Sequence, residues 1–194
     1  MTKHVVIIQG HPDGEHRHFD HALAAAYAEG ALDGGHQVRS IDVGKLDVPF
    51  LRSKDEWEQA TPTEALGEAQ RAIDWADHVV IVYPLWLGSM PARLKAFLEQ
   101  ILRPGFAFTK GRLGWWRRRL KGRSARIVVT MGMPATLYRW YFRAHGLKTL
   151  ERNILGFCGI GPVASSVIGM VESPRSGGRE RWLARMRTLG FHAR

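Results

Sequence analysis

Five short apolar runs, separated by segments with helical spacing, constrain the fold of this chain more than any other feature. The strongest three, at residues 4–9, 78–83 and 125–131, are rich in valine and isoleucine and carry few polar side chains. Strands of this kind are buried on both faces, which is typical of a parallel sheet covered by helices on each side. Weaker runs at 36–43 and 162–171 complete a predicted five-stranded sheet.

The segments between these runs predict helices. Apolar residues recur at helical spacing in residues 19–32, 62–76, 91–102 and 179–191, and less regularly in 136–154. This alternation of strand and helix predicts an α/β fold, a flavodoxin-like doubly wound domain. Its five parallel strands are expected in the order 2-1-3-4-5, with helices on both faces. No repeat or linker divides the chain, so we expect residues 1–194 to form one domain.

Cysteine content and hydropathy restrict the function classes. The single cysteine, Cys158, excludes an internal disulfide and a cysteine-based zinc site. No apolar run approaches the roughly 20 residues of a membrane-spanning helix, and the first residues lack the regions of a signal peptide. A cytoplasmic location is therefore expected.

Charge is distributed unevenly along the chain. The net charge of +10 comes entirely from the second half, because residues 101–194 contain only three acidic residues. Basic residues are densest in residues 110–123, KGRLGWWRRRLKGR, which contain no acid. Such a segment attracts anionic membrane, a phosphorylated ligand or nucleic acid, or forms a solvated basic face. Nucleic-acid binding is not expected, because no groove-reading element accompanies the charge.

The loop after the first strand, residues 10–18, leads into a predicted helix. It lacks the glycine patterns of dinucleotide-binding and P-loop folds, but it contains His11, His16, Arg17 and His18. Cationic side chains at the amino end of a helix suit a phosphate or diphosphate. An exposed loop without a ligand is the alternative. A metal site is not expected, because no carboxylate or cysteine framework supports the histidines.

Two further loops follow the third and fourth predicted strands and should converge on the same edge of the sheet. In YPLWLGSMPARLK, residues 83–95, the stretch 85–87 offers an apolar wall to a planar ligand, although Trp86 is equally compatible with a core position. In residues 130–146, Thr130 and Gly132 allow close backbone approach to a ligand. Tyr138 and His145 then add two proton-bearing groups, each of which alone is more often structural.

Taken together, these motifs resemble a known family. GHP with FDHAL, YPLWLGSMPARLKAFLEQIL with PGFAF, TMGMP, Tyr138 with His145-Gly146, and GFCGIG occur in the order and spacing of the NAD(P)H:quinone oxidoreductases of DT-diaphorase type. The resemblance implies a flavoprotein enzyme that passes two electrons, as hydride, from NAD(P)H through flavin to a quinone-type acceptor in a ping-pong cycle. It also implies a homodimer with both active sites at the interface.

The resemblance assigns roles residue by residue. Tyr138 and His145 match a catalytic pair that stabilises charge on the reduced flavin and relays a proton. Met133, Phe106 and Phe108 match a substrate pocket, to which the partner subunit contributes the two phenylalanines. The flavin contacts are matched by His11, Arg17, His18, Phe19, Asp20, Pro84, Leu85, Trp86, Leu87, Thr130 and Gly132.

The chain departs from the family pattern in its first loop, where Arg17 and His18 replace a hydroxyl residue. Between the two flavins, FAD is slightly favoured over FMN by the resemblance, although no adenine pocket is evident. The choice between NADH and NADPH stays open, with Arg117, Arg118 and Arg119 as candidates to attract a 2′-phosphate. An alternative function is an ancillary subunit of a membrane potassium-efflux transporter, docked on a membrane-associated partner through residues 110–123.

Overall fold

The computed structural model describes residues 1–111, 115–172 and 178–194. Seven strands are present in these ranges, five of them long enough to build a sheet and two forming a short hairpin. In chain order they are β1 His4–Gln9, β2 Gln37–Asp42, β3 His78–Pro84, β4 Phe108–Lys110, β5 Trp116–Arg118, β6 Ser124–Thr130 and β7 Val163–Ile168.

The five longer strands form one parallel sheet in the order β2-β1-β3-β6-β7. This arrangement confirms the predicted order 2-1-3-4-5 of a doubly wound sheet. β1 pairs with β2 on one side and with β3 on the other, so the strand order reverses direction beside β1. In open α/β sheets this reversal marks the crevice where ligands bind, at the carboxyl ends of the strands.

Helices cover both faces of the sheet. The chain contains α1 Phe19–Asp33, α2 Lys54–Gln59, α3 Glu64–Trp75, α4 Ala92–Ile101, α5 Ala135–Trp140, α6 His145–Lys148, α7 Gly156–Cys158 and α8 Gly178–Phe191. A short 3₁₀ turn, Val43–Lys45, follows β2, and a π-helical turn, Thr149–Leu155, joins α6 to α7.

Alternate residues of the strands pack into two separate apolar cores. Val6 and Ile8 of β1 belong to the core beneath α3 and α4, whereas Val5 and Ile7 belong to the core beneath α1 and α8. β3 is buried along its whole length, as its run of β-branched residues predicts. The edge strand β2 is largely exposed, which explains its polar side chains.

The structure corrects three details of the sequence prediction. Described residues of the basic segment 110–123 contribute to an antiparallel hairpin of β4 and β5, which their composition did not indicate, whereas residues 112–114 of the segment lie outside the described residues. The predicted helix 136–154 is interrupted after Trp140, where Arg143 and Ala144 both adopt positive φ. Pro91 caps α4 from outside, so the first helical residue is Ala92 rather than the proline.

Within the described ranges, none of the helices combines the length and the apolar composition needed to cross a bilayer.

Candidate functional site

The carboxyl ends of β1, β3 and β6 lie side by side at the centre of the sheet. The Gly10 N–H donates to the Val82 carbonyl (2.7 Å), and the Leu85 N–H donates to the Thr130 carbonyl (2.7 Å). These bonds carry the parallel pairing beyond the strands and fix the start of each loop against its neighbour. The three loops predicted to converge are therefore adjacent at one edge.

The first loop, residues 10–18, is held together by its own side chains, and we call it the histidine loop. The His11 ring stacks on the His18 ring, with centroids 3.8 Å apart and planes 18° from parallel. His16 Nδ1 and His18 Nε2 each lie 2.9 Å from Asp13 Oδ2. The other oxygen, Asp13 Oδ1, accepts the backbone N–H groups of Glu15 and His16. One carboxylate thus orients two imidazoles and the backbone between them.

Hydrogen bonding and burial in the histidine loop shift the pKa values of Asp13 and His11. The hydrogen bond from His18 and the bonds from two backbone amides hold the pKa of Asp13 well below its usual range. Burial, followed by the proximity of His18, lowers the pKa of His11. Because His11 Nδ1 accepts the Asp13 N–H, the neutral imidazole carries its proton on Nε2. The loop therefore combines the ionised carboxylate of Asp13 with the neutral, buried imidazole of His11, which is a hydrogen-bond donor.

A close backbone contact sets the loop against the turn that follows β2. A methyl group on Gly14 would lie 2.8 Å from the Gly44 carbonyl carbon, and one on Gly44 would lie 2.6 Å from the Gly14 nitrogen. At each of the two positions, the main chain of the other segment leaves no room for a side chain, which explains why glycine occupies both.

The amino end of α1 connects the first loop to the third. His18 precedes the helix, and its N–H donates to His21 Nδ1 (3.2 Å) in the first turn. In the same turn Asp20 is buried, and its Oδ1 accepts the Thr130 hydroxyl (2.8 Å). Burial raises the pKa of Asp20 to about 6, although the Thr130 hydrogen bond opposes the shift. This buried acid therefore ties α1 to the end of β6.

The second loop forms a tight reverse turn, which we call the Trp86–Ser89 turn. Trp86 and Ser89 exchange two backbone hydrogen bonds of 2.9 and 3.0 Å. Leu87 and Gly88 between them both have positive φ, 47° and 79°, as a type I′ turn requires. The Trp86 side chain is 50% exposed and Leu87 is fully exposed. The Trp86 ring also contacts His11 edge-on, with centroids 6.0 Å apart.

The third loop packs directly on this turn. A methyl group at Gly146 would lie 2.2 Å from the Gly88 carbonyl oxygen, so α6 begins in backbone contact with the turn. His145 precedes that glycine and is exposed. Tyr138 is only 1% exposed, and its hydroxyl oxygen accepts the Leu147 N–H (3.1 Å). Burial raises the pKa of Tyr138, so the phenol keeps its proton near neutral pH.

With this geometry established, the comparisons with known proteins become informative. A family model described as "Flavodoxin-like fold" matches residues 3–189. The chain belongs to the flavodoxin-like fold family.

Relatives of this flavodoxin-like chain carry oxidoreductase names. It is 27% identical over 171 residues to an "Uncharacterized NAD(P)H oxidoreductase" of Haemophilus influenzae, covering 86% of this chain and 84% of that one. It is 28% identical to an "FMN-dependent NADH:quinone oxidoreductase" of Nitratidesulfovibrio vulgaris, covering 84% of this chain and 85% of the relative. The solved NAD(P)H:quinone oxidoreductase from Methanothermobacter marburgensis superposes over all of both chains with a TM-score of 0.84 at 23% identity. The resemblance inferred from the sequence motifs is thereby confirmed.

The flavodoxin-like fold brings most of the predicted site residues to one edge of the sheet. Thr130 and Pro84 are buried at the strand ends, and Leu85 and Met133 are half-buried behind them. Arg17 and Gly132 are exposed. Nothing in the structure tests the contacts assigned to these residues, which stay predictions.

Phe106 and Phe108 lie elsewhere in the chain. Phe108 is buried and packs with Trp57, Trp116 and Phe157, none of which belongs to the three loops. Phe106 is half-buried against the core beneath α3 and α4. An apolar cavity of about 400 Å³ adjoins this aromatic cluster, with Phe108 and Phe157 in its wall.

Three residues at the site were not identified from the sequence. Asp13 was visible in the histidine-rich loop, but only its hydrogen bonds reveal its organising role. The Arg179 guanidinium lies 5.3 Å from the Phe19 ring centre and donates twice to the Val171 carbonyl. The Glu172 carboxyl group lies 3.9 Å from the position of a methyl group on Gly132. Arg179 and Glu172 follow the last strand, so no local pattern links them to the loops.

Metal binding has no structural support in the described parts of the chain. Among those residues, no three His, Cys, Asp or Glu side chains are arranged as a set of metal ligands.

Proposed function

We propose that this protein is a flavin-dependent NAD(P)H oxidoreductase that transfers two electrons to quinone-type acceptors by a ping-pong mechanism. One observation carries the proposal: the polar histidine loop meets the half-exposed apolar Trp86–Ser89 turn where His11 contacts Trp86, at the carboxyl edge of a doubly wound sheet. A ligand that bridges the two needs an anionic end and a planar aromatic end, which is the chemistry of a flavin nucleotide. The oxidoreductase names of the relatives support the same function.

The residues present fit such a cofactor. The Nε2–H of His11, whose ring stacks on His18, and the amino end of α1 supply donors for a phosphate. Trp86 and Leu87 leave apolar surface uncovered for a planar ring. Beside them, a methyl group on Gly132 would meet no atom of the described residues closer than the Glu172 carboxyl group at 3.9 Å, so among these residues the backbone there is open to close approach.

FMN is the flavin that we propose. The relatives from Nitratidesulfovibrio vulgaris and Ruegeria pomeroyi are named FMN-dependent, and both cover most of this chain. The slight preference for FAD inferred from the sequence has no support from these relatives.

In the proposed mechanism the flavin supplies the hydride chemistry and the protein supplies orientation and protons. The histidine loop binds the phosphate, and Trp86 and Leu87 cover the ring and exclude water. His145, exposed at the start of α6 beside the turn, would donate a proton from an imidazole nitrogen to a quinone oxygen as the quinone is reduced and regain a proton from solvent. Tyr138 remains protonated, and its hydroxyl positions Leu147 and hence α6.

A homodimer completes the proposed site. Large apolar side chains next to the site are exposed in the single protomer, among them Leu87, Trp140 and Tyr141. Exposed aromatic side chains at consecutive positions, such as Trp140 and Tyr141, are typical of an interface between protein chains. Phe106 is half-buried and lies away from the loops of its own chain, which leaves it free for its assigned role on the partner. Phe108 is buried in the core of its own chain, and its assigned role on the partner stays a prediction. A cytoplasmic location stays a prediction.

The alternative function, an ancillary subunit of a potassium-efflux transporter, is less favoured. The relatives with broad coverage are named as oxidoreductases rather than as transporter components.

The visible absorption spectrum of the purified protein, before and after anaerobic addition of NADPH, tests the proposal. We expect a flavin band that bleaches, and chromatography of the released cofactor should identify FMN. His145→Gln should slow flavin reduction or reoxidation without loss of bound flavin, whereas His192→Gln, at an exposed histidine near the end of α8, should not. A protein that stays colourless and takes up neither flavin would reject the function.

A further inference from the structure

The hairpin of β4 and β5 is a positively charged projection that the proposed reaction does not use. Trp115 and Trp116, exposed at its end, are followed by three exposed arginines. The exposed cations on and next to the two strands are Lys110, Arg117, Arg118, Arg119 and Lys121, which we call the basic hairpin together with Trp115 and Trp116.

No acidic residue is close to this charge along the chain. The sequence contains no Asp or Glu between Glu99 and Glu151. In the described part of the chain, the cations of the basic hairpin form no ion pair, although Arg119 donates to the Gly105 carbonyl (3.0 Å). Arg117 and Arg118 are successive strand residues and therefore point to opposite faces of the ribbon. The described strands are therefore positive on both faces of the ribbon.

The hairpin is anchored firmly at its base. The Arg119 N–H donates to the Ala107 carbonyl (2.9 Å), and the Leu120 N–H donates to the Cys158 carbonyl (3.1 Å). Trp116 packs edge-on against the buried Phe108, with centroids 5.1 Å apart. One indole thus fixes the ribbon to the core, which leaves the neighbouring Trp115 projecting from a rigid support.

Trp115 is strongly exposed, as is Trp140, which is 87% exposed. Trp75 is covered by the His4 ring (4.3 Å) and by the Arg39 guanidinium (4.2 Å), but Trp115 is 79% exposed. An indole combines an apolar body with a polar N–H, and for that reason tryptophan concentrates at the headgroup level of bilayers. Basic residues next to it are attracted to anionic headgroups.

We propose that the basic hairpin docks this protein peripherally on anionic phospholipid bilayers, with Trp115 at the headgroup level and the cations on both faces of the ribbon attracted to the lipid phosphates. Single-stranded nucleic acid is the competing ligand, since it also combines phosphates with stacking surfaces. The hairpin favours the lipid, because Trp116 is engaged with Phe108 and a single free indole provides no platform for successive bases.

Flotation of the full-length protein with phospholipid vesicles tests the proposal. We expect binding to vesicles of mixed phosphatidylglycerol and phosphatidylcholine, weaker binding at high salt, and little binding to phosphatidylcholine alone. The double variant Arg117→Gln with Arg118→Gln should weaken partitioning roughly 25-fold, at about fivefold for each charge removed. Trp115→Ser should weaken the binding that persists at high salt.

A matched double variant separates local docking from net charge. Arg71→Gln with Arg187→Gln removes the same charge from α3 and α8, at residues that pair with Glu68 and Glu29, and should leave partitioning unchanged. An equal loss in this control, equal binding to neutral vesicles, or a gel shift with oligonucleotides in the absence of vesicle binding would each overturn the proposal. Flavin content and flavin reduction are measured on the parent protein and do not depend on these outcomes, so the proposed enzymatic function is tested separately.

Discussion

The histidine loop and the Trp86–Ser89 turn meet at one ring contact, yet they are stabilised in opposite ways. In the histidine loop, Asp13 binds two imidazoles and two backbone amides. The turn instead places a leucine at positive φ and leaves that side chain fully in solvent. The first region satisfies its own polar groups, whereas the second has unfavourable features that only a ligand or a partner offsets.

This difference indicates how the two regions contribute to binding. A loop shaped by its own hydrogen bonds is pre-organised, so a phosphate that binds it spends little free energy on ordering the protein. Strained backbone and exposed apolar surface are retained where function requires them, at a cost of about 1–2 kcal/mol for a left-handed non-glycine residue. We therefore expect mutations in the histidine loop to act mainly by leaving polar groups without hydrogen-bond partners. Mutations in the turn should act mainly by changing its steric strain.

The largest effect is expected where the third loop touches the turn. Gly146→Ala places a methyl group 2.2 Å from the Gly88 carbonyl oxygen, and because backbone atoms cannot move aside cheaply, α6 must separate from the turn. We expect a loss of about 3 kcal/mol in the free energy of unfolding, measured by urea denaturation. Gly67→Ala is the matched control: its methyl group meets only the end of Arg71 at 3.5 Å, and it should stabilise α3 by about 0.5–1 kcal/mol. Equal stability of Gly146→Ala and the parent would contradict the described contact.

Asp20 gives the next effect, and its sign depends on pH. Burial raises the pKa of Asp20 to about 6 from 3.8, so between these values the folded chain keeps a proton that the unfolded chain has released. The free energy of unfolding therefore falls as pH rises through this window. Asp20→Asn removes that fall, and at pH 7 the variant should be more stable by about 2 kcal/mol, with no gain near pH 4.

Denaturation curves recorded across this pH range measure the difference. Asp33→Asn, at an exposed position in the last turn of the same helix, controls for the loss of one acidic charge. A stability gain for Asp20→Asn that does not change with pH would show that the effect is unrelated to the buried proton.

Thr130→Val tests the same hydrogen bond by removing its donor. It removes the hydroxyl that donates to Asp20 and leaves a buried carboxyl oxygen without that donor, so we expect a loss of about 1.5 kcal/mol at pH 7. Thr188→Val, at an exposed hydroxyl on α8, should change stability by less than about 0.5 kcal/mol. Combining Thr130→Val with Asp20→Ala, which removes the acceptor, in a double-mutant cycle gives the coupling energy; additive effects would mean that the two side chains do not interact.

The smallest effect concerns the strain in the turn itself. Leu87→Asn replaces an exposed apolar side chain at positive φ by a residue that tolerates this backbone conformation, and should stabilise the protein by about 1 kcal/mol. It should at the same time weaken flavin binding, measured by titration of the apoprotein. Leu32→Asn, an exposed leucine within α1, gives neither effect if the backbone conformation is the cause. Destabilisation by Leu87→Asn would show that the turn is not strained.

The sheet was predictable from the sequence because its central strands are long β-branched runs, each buried on both faces. Local signals were also sufficient for the convergence of the three loops, since parallel strands end at a common edge. The β4–β5 hairpin was missed, because a run of arginines carries no strand signal and the ribbon depends on Phe108 packing against residues distant in sequence.

Site details that depend on tertiary approach were equally hidden. The burial of Tyr138 and its bond from Leu147 arise only because α5 and α6 fold back on each other. The Tyr83 hydroxyl lies in the same core, and within the described residues it has no hydrogen-bond partner. Arg179 reaches Phe19 across most of the chain length. In each case the interacting residues have no spacing pattern that would reveal them.

The paired glycines at positions 14 and 44 have a consequence for engineering. Because each main chain excludes a side chain on the other, the histidine loop and the segment after β2 are one interlocking part. A histidine loop transplanted from a relative would meet a foreign surface unless residues 43–46 came with it. An attempt to change the cofactor preference of this scaffold should therefore replace the histidine loop and residues 43–46 together.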